Sequence, residues 1–351
     1  MNSLPVYYDF ASTTPVDPRV LEAMLPYFSE LFGNPSSNHV YGRLANDAIE
    51  KARKSVADLI NADTREIYFT SGATESINWA LKGYLEANAP AGGHIITVKT
   101  EHKAVLNTCE YLETKGYNVT YLNVDKNGLI SLEDLEHQIT DQTKMVVVMY
   151  VNNEIGVIQS IPSIGGICSK HKVPFFCDAT QAVGKIPVDV LRDQIDLLAM
   201  SAHKFYGPKG IGALYAKRGI KLAPLLHGGN QEAGLRSGTY NTPLIVGMGT
   251  AAEIAIDEIE NRMIRAQEKR LELAEYFEKN KYGKLNFTDV HTSPFILSFT
   301  LLDEDAESFL IRMKDLFVAS SGSACSSSIM AESHVKLALG LKNDVFRISI
   351  T

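Results

Sequence analysis

Seven short β-rich runs between residues 66 and 216 constrain the fold more than any other feature of this sequence. Several of them are nearly all apolar, which is typical of parallel strands buried on both faces. The runs are EIYFT (66–70), HIITVK (94–99), VTYLNV (119–124), MVVVMYV (145–151), PFFC (174–177), DLLAMS (196–201) and GALYA (212–216). Helical patterns separate most of them, and this alternation predicts an α/β domain with a mostly parallel seven-stranded sheet.

The helices are predicted from apolar residues at helical spacing and from start signals. Residues 17–31 are expected to form a helix, with Asp17 as its N-cap and Pro18 at the first helical position. Residues 43–60 form an amphipathic helical pattern. Further helices are predicted at 74–87, 103–115 and 131–139.

The last part of the chain has a different pattern. Residues 244–280 are typical of one long helix or of two in sequence. After it we predict strand 295–301, helix 305–314, a serine-rich loop, helix 332–339 and a last strand at 345–350. Because this is an α+β pattern, we place a domain boundary inside the long helix. We expect a large α/β domain at 15–258 and a small α+β domain made of 1–14 and 259–351.

Composition is that of an ordinary globular enzyme. The chain has 351 residues, 45% of them hydrophobic, and a formal net charge of −7. A nucleic-acid binder would show a basic surplus or a basic stripe, and neither is present, so we expect no direct nucleic-acid partner. No apolar run approaches membrane-spanning length, and the N-terminus lacks the basic and apolar regions of a signal peptide. We therefore expect no membrane association and a cytoplasmic protein.

The four cysteines, Cys109, Cys168, Cys177 and Cys325, form no C-x-x-C pair. No short Cys/His cluster indicates zinc, and we expect no metal site. For a chain of this size, such cysteine usage is typical of free thiols in a reducing compartment.

Polar residues that follow the strands are the first candidates for a site, because ligands of open α/β sheets bind at the carboxyl ends of the strands. Such residues follow five of the runs, at 71–75, 100–102, 152–154, 178–181 and 202–204. Each set alone is a weak signal, since strands often end in polar turns. Five sets on one sheet edge predict a site there.

Three of these sets have specific chemistry. Residues 70–74 join a strand to a helix start, which favours phosphate binding, although plain N-capping is the alternative. Asp178 ends a buried run and could pair with a protonated pyridine nitrogen, or simply cap a helix. His102 could stack on a cofactor and carry protons, or be a structural histidine.

Lys204 is a candidate for a Schiff base, because burial beside a cofactor lowers the pKa of a lysine. The alternative is a surface turn lysine. Lys209 is a nearby competitor, but Pro208 and Gly210 place it deeper in the turn.

Cys325 lies in a loop with six serines and a glycine, SSGSACSSS at 320–328. We expect this loop to be exposed and mobile, so that the Cys325 thiol is an accessible nucleophile. Cys109 and Cys177 fit small buried hydrophobes, and Cys168 is undecided.

Several segments resemble NifS/IscS-type cysteine desulfurases, which belong to the class V aminotransferase group of enzymes that use pyridoxal 5′-phosphate (PLP). The segments are SGATES (71–76), TEHKAV (100–105), VNNEIGVIQ (151–159), DATQAVGKIPVD (178–189), SAHKFYGPKGIGALY (201–215), LRSGT (235–239) and SSGSAC (320–325). They span nearly the whole chain in order. The resemblance implies the PLP-dependent aminotransferase-like fold (fold type I).

The resemblance also implies roles for the cofactor-binding residues. Lys204 would hold PLP as the internal aldimine and move protons, Asp178 would pair with the pyridinium nitrogen, and Gln181 would hydrogen-bond the phenolic oxygen. His102 would stack on the ring. The implied phosphate ligands are the backbone of Ala73 and the side chains of Thr74, Ser201 and His203.

The remaining implied roles concern the substrate and the partners. Asn153 and Arg347 would hold the carboxylate of L-cysteine, and Cys325 would take its sulfur as a persulfide, leaving alanine. Thr239 would reach the phosphate of the other subunit's cofactor, which implies a homodimer. The sulfur would then pass to an acceptor protein, for iron–sulfur cluster assembly or for tRNA or cofactor thiolation.

The chain departs from the family's pattern near its C-terminus. The stretch between Gly340 and Arg347 is several residues shorter, and the family continues beyond VFRIS with a further helical stretch. Two alternative functions are compatible with the same residues: another PLP-dependent reaction on this fold, or a non-catalytic sulfur-carrier subunit. Cys325 argues against the first. The joint presence of Lys204, Asp178 and His102 with Cys325 argues against the second.

Overall fold

The computed structural model describes residues 4–321 and 333–351. Its largest element is a seven-stranded sheet in the order β2-β8-β7-β6-β5-β3-β4. The strands are β2 (Ile67–Thr70), β3 (His94–Val98), β4 (Asn118–Leu122), β5 (Thr143–Met149), β6 (Phe175–Asp178), β7 (Leu197–Ser201) and β8 (Gly212–Ala216). Strand β8 runs antiparallel to the other six strands of this sheet. The predicted mostly parallel seven-stranded sheet is therefore confirmed. Each strand overlaps one of the seven apolar runs, although β4 and β5 begin one and two residues earlier than predicted and β6 ends one residue later.

Both faces of this sheet are buried, as the apolar runs require. In β5, Val146 and Val148 belong to one apolar cluster, whereas Met145 and Val147 belong to another. Since successive side chains of a strand point to opposite faces, each cluster fills one face of the sheet. This burial on both sides explains why the strands have no alternating polar residues.

The helices that flank the sheet mostly follow the predicted segments. They are α1 (Pro18–Met24), α2 (Pro26–Ser29), α3 (Val40–Leu59), α4 (Ala73–Asn88), α5 (Lys103–Glu113), α6 (Leu132–Gln138) and α7 (Ile161–His171). Asp17 caps α1 as predicted, by accepting the N–H of Arg19. No helix within residues 4–321 and 333–351 is long and apolar enough to cross a membrane.

The largest differences between predicted and observed helices concern the segments 17–31 and 43–60. The expected helix at 17–31 is divided into α1 and α2 because Pro26 has no N–H to continue the ladder, and it starts a new helix instead. Helix α3 begins three residues before the predicted position 43, because the His39 side chain caps it by accepting the N–H of Gly42. Neither of these two segments contains a predicted site residue.

The C-terminal part contains a 38-residue helix and two small sheets. Helix α8 (Thr242–Lys279) is a single helix, which decides between the two alternatives for this segment. The other elements are β1 (Val6–Tyr7), β9 (Gly283–Leu285), β10 (Ile296–Leu301), α9 (Ala306–Met313), β11 (Phe317–Val318), α10 (His334–Leu339) and β12 (Val345–Ser349).

The N-terminal residues contact this C-terminal part. Strand β1 pairs with β11, and Asp9 bridges to Ser349 beside the three-stranded sheet β12-β10-β9. Phe277 of α8 stacks on Phe299 of β10, with ring centroids 4.5 Å apart. These contacts hold the N-terminal residues and the end of α8 against the two small sheets. The division of the chain at residue 258 stays a prediction.

Candidate active site

A cavity of about 520 Å³ opens at the carboxyl edge of the large sheet. Strands β6 and β7 end at its wall, and helix α4 begins there. Its lining includes the predicted site residues Ala73, Thr74, His102, Asn153, Asp178, Gln181, Ser201, His203, Lys204 and Arg347. The structure thus gathers in one place residues predicted from separate strand ends, together with Ser201 and Arg347, which only the family resemblance implied.

The corner of the cavity at residues 72–74 allows a ligand to approach the backbone closely. Gly72 precedes the 16-residue helix α4 and has a φ of +154°, which side chains disfavour. A Cβ on Gly212 would lie 2.6 Å from the Cα of Gly72, so the contact between β8 and this turn requires glycine. The first N–H groups of α4 have no partner within the helix, and its dipole adds positive potential. The corner is therefore suited to an anionic group.

Ser201 and His203 border the same corner. Ser201 is the buried last residue of β7, and His203 Nδ1 lies 3.1 Å from Thr13 Oγ1. Burial, reinforced by the positive charges of Lys204 and Lys209, lowers the pKa of His203 to about 4. The His203 ring is therefore neutral at pH 7 in the protein without ligand.

Lys204 extends from the turn after β7 into the cavity. Its Nζ donates to the carbonyl of Ala11 at 2.7 Å and to the carbonyl of Ser12 at 2.8 Å. The competing Lys209 also borders the cavity but is exposed. The N-terminal segment therefore orients the Lys204 amine through backbone carbonyls.

Asp178 is the last residue of β6 and only 4% exposed. Its Oδ1 accepts the N–H of Thr180 at 3.1 Å and also the Thr180 hydroxyl. These contacts close a turn, and no helix begins there, so the alternative of a helix cap is wrong. Within the described residues, no donor reaches Oδ2. A buried carboxylate with an open acceptor suits a cationic N–H group.

His102 is the N-cap of α5, and its Nδ1 accepts the N–H of Ala104 at 3.1 Å. Because Nδ1 accepts, the neutral ring carries its proton on Nε2. Burial lowers the pKa of His102, and this outweighs the opposing attraction of Asp178. A neutral imidazole that can donate from Nε2 therefore lines the cavity.

Gln181 lines the cavity on the side of the N-terminal segment. Its Nε2 donates to the carbonyl of Ala11 at 2.8 Å, and its Oε1 accepts from Lys185 Nζ at 2.7 Å. The Ala11 carbonyl thus accepts from both Gln181 and Lys204.

Arg347 reaches the cavity from β12, although its shortened sequence context departs from the family's pattern. Its Nη1 donates to the carbonyl of Asn153 at 2.7 Å. Its Nη2 donates to Asp9 Oδ1 at 2.5 Å and to Ser12 Oγ at 3.2 Å. These three contacts fix the orientation of the guanidinium, and the residue is only slightly exposed.

Two predicted residues are not among those that line the cavity. Thr239 is exposed in the segment that precedes α8. Cys325 lies outside the described residues. The chain before it is anchored at the cavity, because Ser320 and Arg347 exchange two backbone hydrogen bonds of 2.8 and 3.1 Å. The chain after it is anchored as well, since Ser333 Oγ donates to Glu154 Oε2 at 2.6 Å.

The other three cysteines are buried. Burial raises the pKa of both Cys109 and Cys168 to about 12. The pKa of Cys177 in β6 is also raised, again chiefly by burial. These thiols are poor nucleophiles, and Cys168, left undecided by the sequence, is a buried helix residue.

The sequence reasoning missed three residues around the cavity. Asp9 pairs with Arg347, and Lys185 supports Gln181. Glu101 is fully buried, its Oε1 accepts the N–H of Met149 at 2.6 Å, and burial raises its pKa. Glu101 and Lys185 lie inside the quoted motifs at 100–105 and 178–189, so their positions in those motifs were a signal that could have identified them.

Comparison with known proteins places this geometry in a family. The family model described as aminotransferase class-V matches residues 6–351. The chain belongs to the class-V aminotransferase family. Among its relatives in this family is a protein named cysteine desulfurase IscS from Neisseria meningitidis serogroup C (strain 053442). That relative is 51% identical over 349 residues, which cover 99% of this chain and 86% of the relative. Another protein of the same name, from Rickettsia rickettsii (strain Iowa), is 47% identical over 362 residues, with the same shares covered.

Solved structures agree with this class-V aminotransferase assignment. A structure described as a NifS-like protein is 38% identical, with a TM-score of 0.90, covering 99% of this chain and 94% of that one. A structure described as SspA in complex with cysteine is 39% identical, with a TM-score of 0.88, covering 98% of each chain. The PLP fold type I architecture expected from the sequence is confirmed by these neighbours.

Proposed function

We propose that this class-V aminotransferase is a PLP-dependent cysteine desulfurase, which converts L-cysteine to L-alanine and keeps the sulfur on Cys325 as a persulfide. One observation carries the proposal. The amine of Lys204, the open acceptor of Asp178 and the guanidinium of Arg347 all face one cavity. The names of the relatives, cysteine desulfurase IscS, and the related structure in complex with cysteine support the choice of reaction and substrate.

The residues of the cavity fit PLP. The corner formed by Gly72, Thr74 and Ser201 would hold the phosphate, helped by the neutral ring of His203. The open Oδ2 of Asp178 would accept a pyridinium N–H. When bound, PLP supplies an electron-withdrawing ring that draws electrons from the Cα of an attached amino acid.

Other residues that line the cavity would also contact the cofactor. Lys204 would anchor the cofactor from the turn after β7, and His102 would lie against its ring. Gln181 and the backbone of Ala73 would donate hydrogen bonds to its oxygens. The side-chain roles of Lys204, His102 and Gln181 can each be tested by substitution.

The substrate would be held by its carboxylate. Arg347 provides a planar guanidinium at the cavity, and Asn153 lies beside it. Bidentate pairing of guanidinium with carboxylate favours this role for Arg347. Lys204 Nζ would then take the proton from the substrate's Cα, since it extends into the same cavity.

Sulfur transfer needs a nucleophile other than these residues. The thiolate of Cys325 would attack the substrate sulfur, so that an S–S bond forms while the substrate's C–S bond breaks. The electron pair of the C–S bond goes to the carbon, which takes up a proton and becomes the methyl group of alanine. Because Cys325 is five residues from the anchored Ser320, the connecting backbone can span at most about 18 Å.

A homodimer is part of the proposal. Thr239 is exposed and away from its own cavity, which is consistent with a role at the phosphate of the partner's cofactor. Large apolar side chains around α1 to α3 are also exposed, among them Phe28 at 59% and Phe32 at 68%. Exposed aromatic patches of this kind are typical of subunit interfaces.

We propose that the persulfide passes to an acceptor protein for iron–sulfur cluster assembly or for tRNA or cofactor thiolation. A cytoplasmic location stays a prediction.

The proposal is tested by incubating the purified protein with PLP, L-cysteine and a thiol reductant, which releases the persulfide sulfur as sulfide, and by measuring alanine and sulfide together. We expect equal amounts of both from the wild type, none from Cys325→Ala, and wild-type amounts from Cys168→Ala, the matched control at a buried cysteine. Desulfuration by Cys325→Ala at the wild-type rate would overturn the role of Cys325. A protein that binds PLP but converts only other amino acids would overturn the reaction.

A further inference from the structure

Lys185 is a buried lysine that the proposed mechanism does not use. It is 6% exposed and makes no ion pair within the described part of the chain. Burying a lysine without a carboxylate partner is costly, and an apolar side chain of similar length would avoid the cost. A fold that only needed packing here would gain by replacing it.

The contact that Lys185 makes is specific. Its Nζ donates to Oε1 of Gln181 at 2.7 Å, four residues earlier in the chain. On the other side of the amide, Gln181 Nε2 donates to the carbonyl of Ala11 at 2.8 Å. A protonated lysine can only donate, and a backbone carbonyl can only accept. The two partners together therefore permit one orientation of the Gln181 amide.

This orientation decides what Gln181 offers to a ligand. The amide NH₂ has two hydrogens, and the Ala11 carbonyl takes one of them. The second hydrogen remains for the cavity that Gln181 lines. A flipped amide would instead present its oxygen near that position and would repel an anionic oxygen of a ligand.

The contact also links Lys185 to the cofactor lysine. The Ala11 carbonyl that accepts from Gln181 accepts from Lys204 Nζ at 2.7 Å. Burial, reinforced by the charges of Lys204 and Arg347, lowers the pKa of Lys185. The neutral amine keeps N–H groups that can donate to Gln181 Oε1, and the Ala11 carbonyl, which can only accept, disfavours the flipped amide in either protonation state.

We infer that Lys185 is a positioning residue, which holds the Gln181 amide with its NH₂ group toward the cavity so that it donates to an anionic oxygen of the bound cofactor. The inference rests on the proposed function, because the oxygen in question is the phenolic oxygen of PLP.

A double-mutant cycle with Lys185→Met and Gln181→Ala tests this role. Two quantities are measured on each purified protein: the dissociation constant of PLP and the pH midpoint of the visible band of the bound cofactor. Each single variant should weaken PLP binding by about 5- to 10-fold, the effect of one net hydrogen bond, and shift the midpoint. In the Gln181→Ala background, Lys185→Met should change neither quantity further, because the residue acts through Gln181.

Two further variants keep the test decisive. Lys54→Met, which removes an exposed lysine, is the control and should leave both quantities unchanged. Gln181→Glu keeps an acceptor for Lys185 but has no N–H for the cavity, so it should lose as much affinity as Gln181→Ala. This variant carries the test if Lys185→Met does not fold.

The outcomes separate the inference from the proposed function. Additive effects of Lys185→Met and Gln181→Ala, or wild-type PLP binding by Gln181→Glu, would overturn the inference alone. A wild-type protein that develops no visible band with PLP would overturn the proposed function and the inference with it.

Discussion

Arg347 donates from Nη2 to Oδ1 of Asp9 across 2.5 Å, although the two residues stand at opposite ends of the chain. Asp9 follows β1, whereas Arg347 lies in β12, and the bridge between Asp9 and Ser349 brings the two strands together. A guanidinium fixed in this way does not have to lose side-chain freedom when a substrate carboxylate binds. The N-terminal segment therefore preorganises the proposed substrate site.

Replacing Arg347 by Lys should raise the KM for L-cysteine by roughly 10- to 100-fold, the range expected for loss of a charge-assisted hydrogen bond. An ammonium group keeps the charge but cannot pair with a carboxylate through two parallel bonds. Steady-state rates of alanine formation measure the effect. Asp9→Asn is the milder companion variant, with a smaller rise in KM. An unchanged KM in Arg347→Lys would remove Arg347 from substrate binding.

The pH dependence of stability should report His203. Its pKa in the folded protein is about 4, because burial and the charge of Lys204 disfavour the protonated ring, whereas an unfolded histidine titrates near 6.5. Between these two values the unfolded chain binds a proton that the folded chain does not. Stability is therefore complete above about pH 6.5 and falls as the pH is lowered toward 4, by at most about 3 kcal/mol.

Denaturant unfolding of the PLP-free protein between pH 7 and pH 5 measures this slope. The variant His203→Gln should lose part of the decline in the free energy of unfolding. The variant His137→Gln, at an exposed position on α6, should keep the wild-type slope. Equal slopes in the wild type and in His203→Gln would show that His203 titrates normally.

The proposed action of Thr239 across the dimer can be separated from action within one subunit. Lys204→Ala abolishes its own site, and Thr239→Ala weakens the site to which the residue contributes. If Thr239 serves the partner's cofactor, a hybrid dimer of the two variants contains one complete site, since the Lys204→Ala subunit supplies an intact Thr239. Co-expression with two affinity tags yields the hybrid.

We expect the hybrid to have about half of the desulfurase activity of the wild type, because one of its two sites is complete. PLP affinity of that site should equal the wild-type value. A hybrid with only about half of the low activity of Thr239→Ala would mean that Thr239 acts within its own subunit or on stability alone.

Parallel-sheet topology explains why so much of the site was predictable. Apolar runs buried on both faces indicated the strands, and carboxyl ends of parallel strands meet at one edge, so His102, Asp178 and Lys204 were expected to converge. Pro26 was the local signal that the predicted helix at 17–31 neglected.

Other parts of the site had no readable signal. The contact between Asp9 and Arg347 depends on how distant strands pair. The carbonyls of Ala11 and Ser12 that hold Lys204 are backbone groups, which every residue carries. Burial of Lys185 is likewise a tertiary property, since a lysine after a glycine normally indicates a surface turn.

The central claim is that Cys325 receives the sulfur of L-cysteine, and the mass of the protein after a single turnover tests it most directly. PLP-loaded protein is mixed with L-cysteine in the absence of reductant, quenched with a thiol-alkylating reagent and analysed by peptide mass spectrometry. We predict one extra sulfur atom on the peptide containing Cys325, in an amount equal to the alanine released, and none on peptides containing Cys109, Cys168 or Cys177. Alanine formed without extra sulfur on Cys325 would contradict the account.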